Sequence, residues 1–243
     1  MVLNWNKWAK YSFMKRYASL VPYLPEMRQF SNDTLWQMVD KYGYAIVKPA
    51  YGSRGRGVIQ ITSLKDNRYE LHYENRKKIM KNKNQAYAYI RQIAGSSLYL
   101  VQWRVPRATV NGRPFDLRVV IQRHKNSGRW TVTGKLAKVT GKGYIVSNIT
   151  RSKGNVLPVN VAIRRSSITR KHGVVDRVNR VALLSANTLG KRYTGHRIFG
   201  LDMGLDHKGH VWIIEANLAP SISHFLKLGN KTMIRRIRAY KKH

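Results

Sequence analysis

Acidic residues are scarce in this chain, 11 in 243, yet three of them, Asp202, Asp206 and Glu215, fall between positions 202 and 215. Asp202 sits inside the apolar run Ile198-Phe199-Gly200-Leu201-Asp202-Met203-Gly204. Glu215 sits inside another, Val211-Trp212-Ile213-Ile214-Glu215-Ala216-Asn217. A carboxylate buried in such a strand is costly unless a cation or hydrogen-bond donors meet it. Glu215 and Asn217 are two apart, so both project from one strand face. The turn signal Asp206-His207-Lys208-Gly209 folds the Asp202 strand back alongside. Two carboxylates and an amide oxygen then converge, the hard oxygen set that suits Mg2+. The plainer alternative is that Asp202 and Glu215 pair with arginines in the core.

A second group lies early in the chain. The apolar strand Tyr44-Ala45-Ile46-Val47 delivers Lys48-Pro49, and a glycine-rich loop follows: Gly52, Ser53, Arg54, Gly55, Arg56, Gly57. Glycines let backbone N–H groups approach phosphate oxygens, and the cations oppose phosphate charge. The lysine precedes the glycines and the loop runs strand to strand. It is therefore neither a Walker A loop nor a dinucleotide fingerprint. An ordinary glycine turn is the bland reading. A third group, Pro114-Phe115-Asp116-Leu117-Arg118, opens a strand; Asp116 and Arg118 share a face. Arg118 suits a phosphate or a substrate carboxylate, while an Asp116–Arg118 structural pair is the alternative. His196, His207 and His210 read as separate surface histidines.

The elements that position these groups follow from periodicity and turn chemistry. Residues 1–43 read as helical, broken at Pro22 and Pro25, with Ser31-Asn32-Asp33 capping a second helix. Strands are expected at Tyr44–Pro49, Val58–Thr62, Arg68–Tyr73, Leu98–Val105, Phe115–Arg123, Trp130–Val139, Ile198–Leu205 and His210–Ala216. Asn75–Ala94 and Val174–Leu189 read as helices, Tyr144–Arg165 as irregular, and the end from Lys227 as a basic helix or tail. The picture is mixed α and β with much antiparallel pairing.

Composition bounds the partners. Hydrophobic residues make up 43%, enough for a sizeable core, and no run approaches a membrane helix. The N-terminus lacks an apolar leader, which points to a cytoplasmic protein. Absence of cysteine excludes disulfides and thiolate chemistry. The net charge is +35, with basic residues spread along the whole chain. Beyond a solubilising surface, this suits a polyanionic partner: an acidic peptide, an anionic polymer or, less favoured, nucleic acid.

The order of these motifs resembles the ATP-grasp superfamily, specifically the spore-coat-associated ATP-grasp proteins of endospore-forming bacteria. Lys48-Pro49, Gly52–Gly57, Tyr99–Val105, Asp116-x-Arg118, Asn148 and Asp202…Glu215-x-Asn217 carry the resemblance, over residues 5–225. It implies an α+β fold of two lobes gripping ATP between antiparallel sheets. Residues 1–43 would form an N-terminal helical segment, 44–105 the small lobe with its lid, and 106–243 the large lobe with the metal site and basic helix. It also implies an ATP-dependent carboxylate–amine ligase that passes through an acyl-phosphate.

By the same resemblance, Lys48 holds the α- and β-phosphates, with Lys7 or Lys10 as a second lysine. Gly52, Ser53, Arg54, Gly55, Arg56 and Gly57 form the lid. Gln102, Trp103, Arg104 and Val105 form the hinge that reads adenine. Asn148 lies near the phosphates, and Arg118 stabilises the transferring phosphoryl group. Asp202, Glu215 and Asn217 hold one or two Mg2+. The partners are carboxylate and amine substrates, and a spore association is expected. No hinge carboxylate is present for the ribose. The rival readings are a basic polyanion-binding protein, a spore structural protein with a vestigial ATP-grasp fold, and a kinase using the same site.

Overall fold

The computed structural model describes residues 6–52, 55–144 and 154–242. Helix α1 (Lys7–Lys15) starts at Asn6, whose side chain accepts from the Ala9 N–H at 2.8 Å. After a 3-10 turn at Val21–Tyr23 comes a short strand, β1 (Met27–Gln29). Helix α2 (Asn32–Tyr42) opens on a reciprocal Ser31–Thr34 capping box and stops at Gly43, which has φ +76°. Strands β2 (Tyr44–Pro49), β3 (Ile59–Ser63), β4 (Tyr69–Tyr73) and β5 (Arg76–Met80) follow, then helix α3 (Lys83–Ala94) and strand β6 (Tyr99–Trp103).

The remainder comprises β7 (Thr109–Val110), β8 (Arg113–Gln122), β9 (Thr131–Val139) and β10 (Asn155–Leu157), then α4 (Val159–Arg165) and α5 (Val174–Arg192). It ends with β11 (Ile198–Leu205), β12 (Val211–Asn217), α6 (Ser223–Leu228) and α7 (Lys231–Lys242).

The strands form two sheets, antiparallel throughout. The first runs β1-β6-β2-β3-β4-β5 and the second β10-β9-β8-β11-β12, with β7 beside β8. Helices α2 and α3 cover one face of the first sheet, where Leu35, Val39, Ala86 and Ile90 meet Ala45, Val47, Ile61 and Val101. The second sheet is covered on both faces. Residues Phe115, Leu117, Val119 and Ile121 of β8 face α1, α4 and α5. The alternate residues point the other way, as the period of two requires. There Val120 joins Leu136, Phe225, Ile234 and Ile237 beneath α6 and α7, while Asp116 and Arg118 continue the same face into the cleft.

Three expectations change. Asn75–Ala94 is not one helix: β5 takes Arg76–Met80, paired with β4, before α3 begins. The alternation in β5 is hidden because Arg76, Lys77, Lys78 and Ile79 are all exposed at a sheet edge. Residues 1–43 are not wholly helical, since Met27–Gln29 pairs with β6. The stretch 144–165, read as irregular, contains β10 and α4 among its described residues.

Gly134 fixes α7. A Cβ there would lie 2.6 Å from Ile237 Cδ1 and 3.0 Å from Phe225 Cε1. Gln122 Nε2 also donates to the Ile237 carbonyl at 3.1 Å. Ile237 is fully buried, so Ile237→Ala is expected to cost roughly 2–5 kcal/mol by transfer and cavity terms. A denaturant melt checks this, and a loss below about 0.5 kcal/mol would mean that α7 is not docked as described.

Candidate functional site

The cleft faces of both sheets carry the charged residues. On the second sheet, register does the positioning. Asp202 of β11 stands opposite Arg118 of β8 on one side and Glu215 of β12 on the other. Asp116 of β8 stands opposite Lys138 of β9. Arg118 clasps Asp202 with two bonds, Nε to Oδ1 at 3.0 Å and Nη2 to Oδ2 at 2.9 Å. Lys138 Nζ donates to Asp202 Oδ1 at 2.7 Å and lies 3.0 Å from Asp116 Oδ1. Arg107 Nη1 completes the set on Asp116 Oδ2 at 3.2 Å. The Asp116–Arg118 pair held open in the sequence reading is therefore not the arrangement: each joins a different strand neighbour.

Burial would raise the Asp202 carboxyl, but Arg118 and Lys138 outweigh it and hold the group well below the usual carboxylate range. Burial alone would lower Lys138; Asp116 and Asp202 turn the balance and raise it.

Glu215 differs. Among the described residues its carboxylate makes no hydrogen bond or ion pair, although the charges of Lys10, Lys48 and Arg118 act on it. Asn217 Nδ2 reaches Asp202 Oδ2 at 3.4 Å, so the triad does converge. A bulge in the β11–β12 ladder, beside Asp202 and Met203, shifts the register next to Glu215. Among the described residues no group of three or more acids and histidines gathers for a metal. The oxygen set is two carboxylates and one amide. It fits a hard cation, with Glu215 uncommitted and Asp202 already shared with two side-chain cations.

Across the cleft, Lys48 is only 5% exposed. Its Nζ donates to Gln102 Oε1 at 2.7 Å and lies 3.5 Å from the Ile214 carbonyl of the opposite sheet. Burial pushes its pKa down to about 8, opposed by Glu215 and helped by Lys7. Gln102 Nε2 is buried with no partner among the described residues. Lys7 and Lys10 both face this region. Lys7 Nζ donates to the Gly52 carbonyl at 2.8 Å, while Lys10 lines a small cavity with Tyr11, Met14, Ile214 and Glu215.

Gly55, Arg56 and Gly57 lead back into β3. Gly57 has φ +71°, and a Cβ there would sit 2.5 Å from the Tyr99 hydroxyl. Ser53, Arg54 and Asn148 lie outside the described residues. In the hinge the Trp103 N–H is committed to the Glu26 carbonyl at 2.8 Å, and the Trp103 ring packs on Tyr42 and Trp212. Arg104 and Val105 lie beyond the end of β6. The Arg104 guanidinium sits over Tyr44, with Nε buried and unpartnered among the described residues.

Sequence reasoning missed Lys138, Arg107 and His224. Lys138 carried the signal used for Asp202: a charge inside an apolar strand, Leu136-Ala137-Lys138-Val139. His224 carried none. Burial, with the charges of Lys138 and Arg118, pushes its imidazole pKa down, and its Nδ1 is unpartnered among the described residues. His196, His207 and His210 do not assemble with one another into a metal site. His210 stacks on Tyr23, and its Nε2–H donates to the Pro22 carbonyl at 2.9 Å.

Two antiparallel sheets holding lysine and carboxylate groups across a cleft define an ATP-grasp protein. The chain belongs to the YheC/D like ATP-grasp family, whose profile matches residues 3–242. It is 26% identical over 226 residues to endospore coat-associated protein YheD of Bacillus subtilis (strain 168), covering 90% of this chain and 49% of YheD. It is 24% identical over 229 residues to endospore coat-associated protein YheC of the same strain, covering 92% of this chain and 62% of YheC. The chain thus spans about half to three-fifths of these relatives. A crystal structure of D-alanyl-alanine synthetase A from Vibrio cholerae shares the fold. Its TM-score is 0.55 at 14% identity, covering 97% of this chain and 64% of that one. No helix among the described residues is long and apolar enough to cross a membrane.

The Asp202 pairing predicts an acid response. A carboxyl held below its ordinary pKa contributes stability above that pKa and loses it as pH falls through the folded value. Arg118→Met leaves Lys138 as the one cation on Asp202, so the folded pKa rises. The acid-unfolding midpoint followed by circular dichroism is expected to move to higher pH. An unchanged midpoint would contradict the pairing.

Proposed function

We propose that this chain is an ATP-dependent carboxylate–amine ligase working through an acyl-phosphate. The observation that carries the proposal is the uncommitted Glu215 carboxylate beside Asn217 and Asp202, facing the buried Lys48 across one cleft. The fold shared with D-alanyl-alanine synthetase A supports this reading.

In this proposal Lys48 and Lys10 bind the α- and β-phosphates, Lys7 steadies the loop at Gly52, and Gly55, Arg56 and Gly57 lie over the phosphates. Gln102 Nε2, without a partner among the described residues, and the peptide groups of Arg104 and Val105 meet the adenine. Glu215, Asn217 and Asp202 would hold one or two Mg2+. When bound, that metal supplies Lewis-acid polarisation of the phosphate oxygens. Arg118, its Nη1 outside the Asp202 clasp, neutralises charge on the phosphoryl group in transit. The substrate carboxylate oxygen attacks the γ-phosphorus and ADP leaves. The amine nitrogen then attacks the acyl carbon, the C–O bond to phosphate breaks, and the amine proton passes to solvent. The chain contributes charge and position; no side-chain nucleophile is required.

Two outcomes test this. Glu215→Ala is expected to lower Mg-dependent ADP release by roughly 100-fold or more without shifting the thermal melt. Equal turnover would remove Glu215 from the site. Lys48 gives a pH signature. Its free pKa is about 8, and bound phosphate favours the protonated form. Nucleotide affinity is therefore expected to fall as pH rises above 8, with proton uptake on binding seen by calorimetry in buffers of different ionisation heat. Lys48→Met abolishes that slope and weakens affinity; a wild-type affinity flat from pH 7 to 9.5 would exclude Lys48 as the phosphate ligand.

A further inference from the structure

The ATP cleft leaves one large feature unused. From Leu218 to the end the chain has no acidic residue, while Lys227, Lys231, Arg235, Arg236, Arg238, Lys241 and Lys242 are all basic. Lys231 and Arg235 are i,i+4 neighbours, and Arg235 and Arg238 are i,i+3 neighbours, so α7 repels itself. It is nevertheless docked firmly. Ile234 and Ile237 are buried, Gly134 admits Ile237, Gln122 ties its carbonyl, and Tyr240 stacks on His124 with centroids 4.0 Å apart. The outward residues Lys231, Arg235, Arg236 and Arg238 are exposed.

This cationic face shares its side of the second sheet with the charged cluster. Arg118 and Gln122 are four residues apart on β8, about 13 Å at ~3.3 Å per residue. Between them lies α6. His224 of α6 is buried beside the cluster, where the charges of Lys138 and Arg118 add to burial in lowering its pKa. Pro220 presses on Gly200 beside Arg118; a Cβ at Gly200 would collide with it. The buried Arg118 and Lys138 and the exposed Lys227, Lys231 and Arg235 thus lie on one side of the second sheet. Lys125 and Arg129, exposed on the β8–β9 turn, flank the far end beside His124.

We propose that the outer faces of α6 and α7 form a docking track for an acidic polypeptide, which itself carries the carboxylate activated in the cleft. The substrate half rests on the ligase reading. One chemistry then explains two features. Arginine meets carboxylates in bidentate geometry along the track, and a further carboxylate of the same chain reaches Arg118. A nucleic acid would match the charge of the track and offer the cleft no carboxylate.

The test uses the full chain and fluorescently labelled poly-L-glutamate. Binding is followed by anisotropy at low and high salt for the wild type, for R235Q/R236Q/R238Q, and for the charge-matched R164Q/R165Q/R170Q. The latter residues are exposed on and just beyond α4, which covers the opposite face of the sheet. The wild type is expected to bind with an affinity that falls with salt. The track variant weakens roughly tenfold, the control changes less than about threefold, and both retain wild-type ATP affinity. Failure to bind, equal weakening in the two variants, or tighter binding of duplex DNA of matched charge would each overturn the track.

The substrate half is read separately, by hydroxamate formation from ATP, poly-L-glutamate and hydroxylamine. Selective binding without hydroxamate would refute that half and count against the ligase reading, while leaving the docking surface standing. Hydroxamate formed equally by the wild type and the track variant at limiting polymer would uphold the ligase and overturn the track.

Discussion

Two buried carboxylates share three cations on one face of the second sheet, and the rest of the cleft is built around that arrangement. Asp116 takes Arg107 and Lys138; Asp202 takes Arg118 and Lys138. Each ion is removed from water, so the group is tolerable only when every member is present in good geometry. Strand register supplies that geometry. A slip of one residue in β8 would turn Asp116 and Arg118 onto the apolar side and bring Phe115, Leu117 and Val119 into the cleft. The same alternation that makes the core therefore makes the charged surface. The functional face and the hydrophobic face of this sheet are two readings of one pattern.

That face is itself divided. Towards Gln122 and Gly134 it is apolar and lies beneath α6 and α7; towards Asp116 and Asp202 it is charged and faces the first sheet. Lys48 and Gln102 answer from the other side, close enough for Lys48 to approach the Ile214 carbonyl. Helix α1 belongs by packing to the second sheet, through Tyr11 and Met14, yet its Lys7 reaches back to the glycine loop. Two neighbouring lysines thus reach across the cleft.

Much of this was legible in the sequence because it rested on strict periodicity. The β11 and β12 patterns, with the turn signal Asp206-His207-Lys208-Gly209, put Asp202, Glu215 and Asn217 side by side, and the capping signal at Ser31 located α2. Lys138 was legible by the same criterion, as a charge within an apolar strand. What could not be read was pairing. Nothing local says that Asp116 meets Lys138 rather than Arg118; that depends on which strand lies next to β8. The edge strand β5 was hidden because its residues face water on both sides, so no alternation marks it. His224 lacked any pattern, since its importance comes from what α6 folds onto and not from its neighbours in sequence.

The hinge end of the cleft has a consequence of an optical kind. Trp103 of the first sheet and Trp212 of the second meet edge to face, with centroids 4.9 Å apart and planes at 80°. Indole emission is sensitive to such close aromatic packing. Any opening of one sheet against the other separates the two rings, so the molecule carries its own fluorophore pair at the place where the halves join.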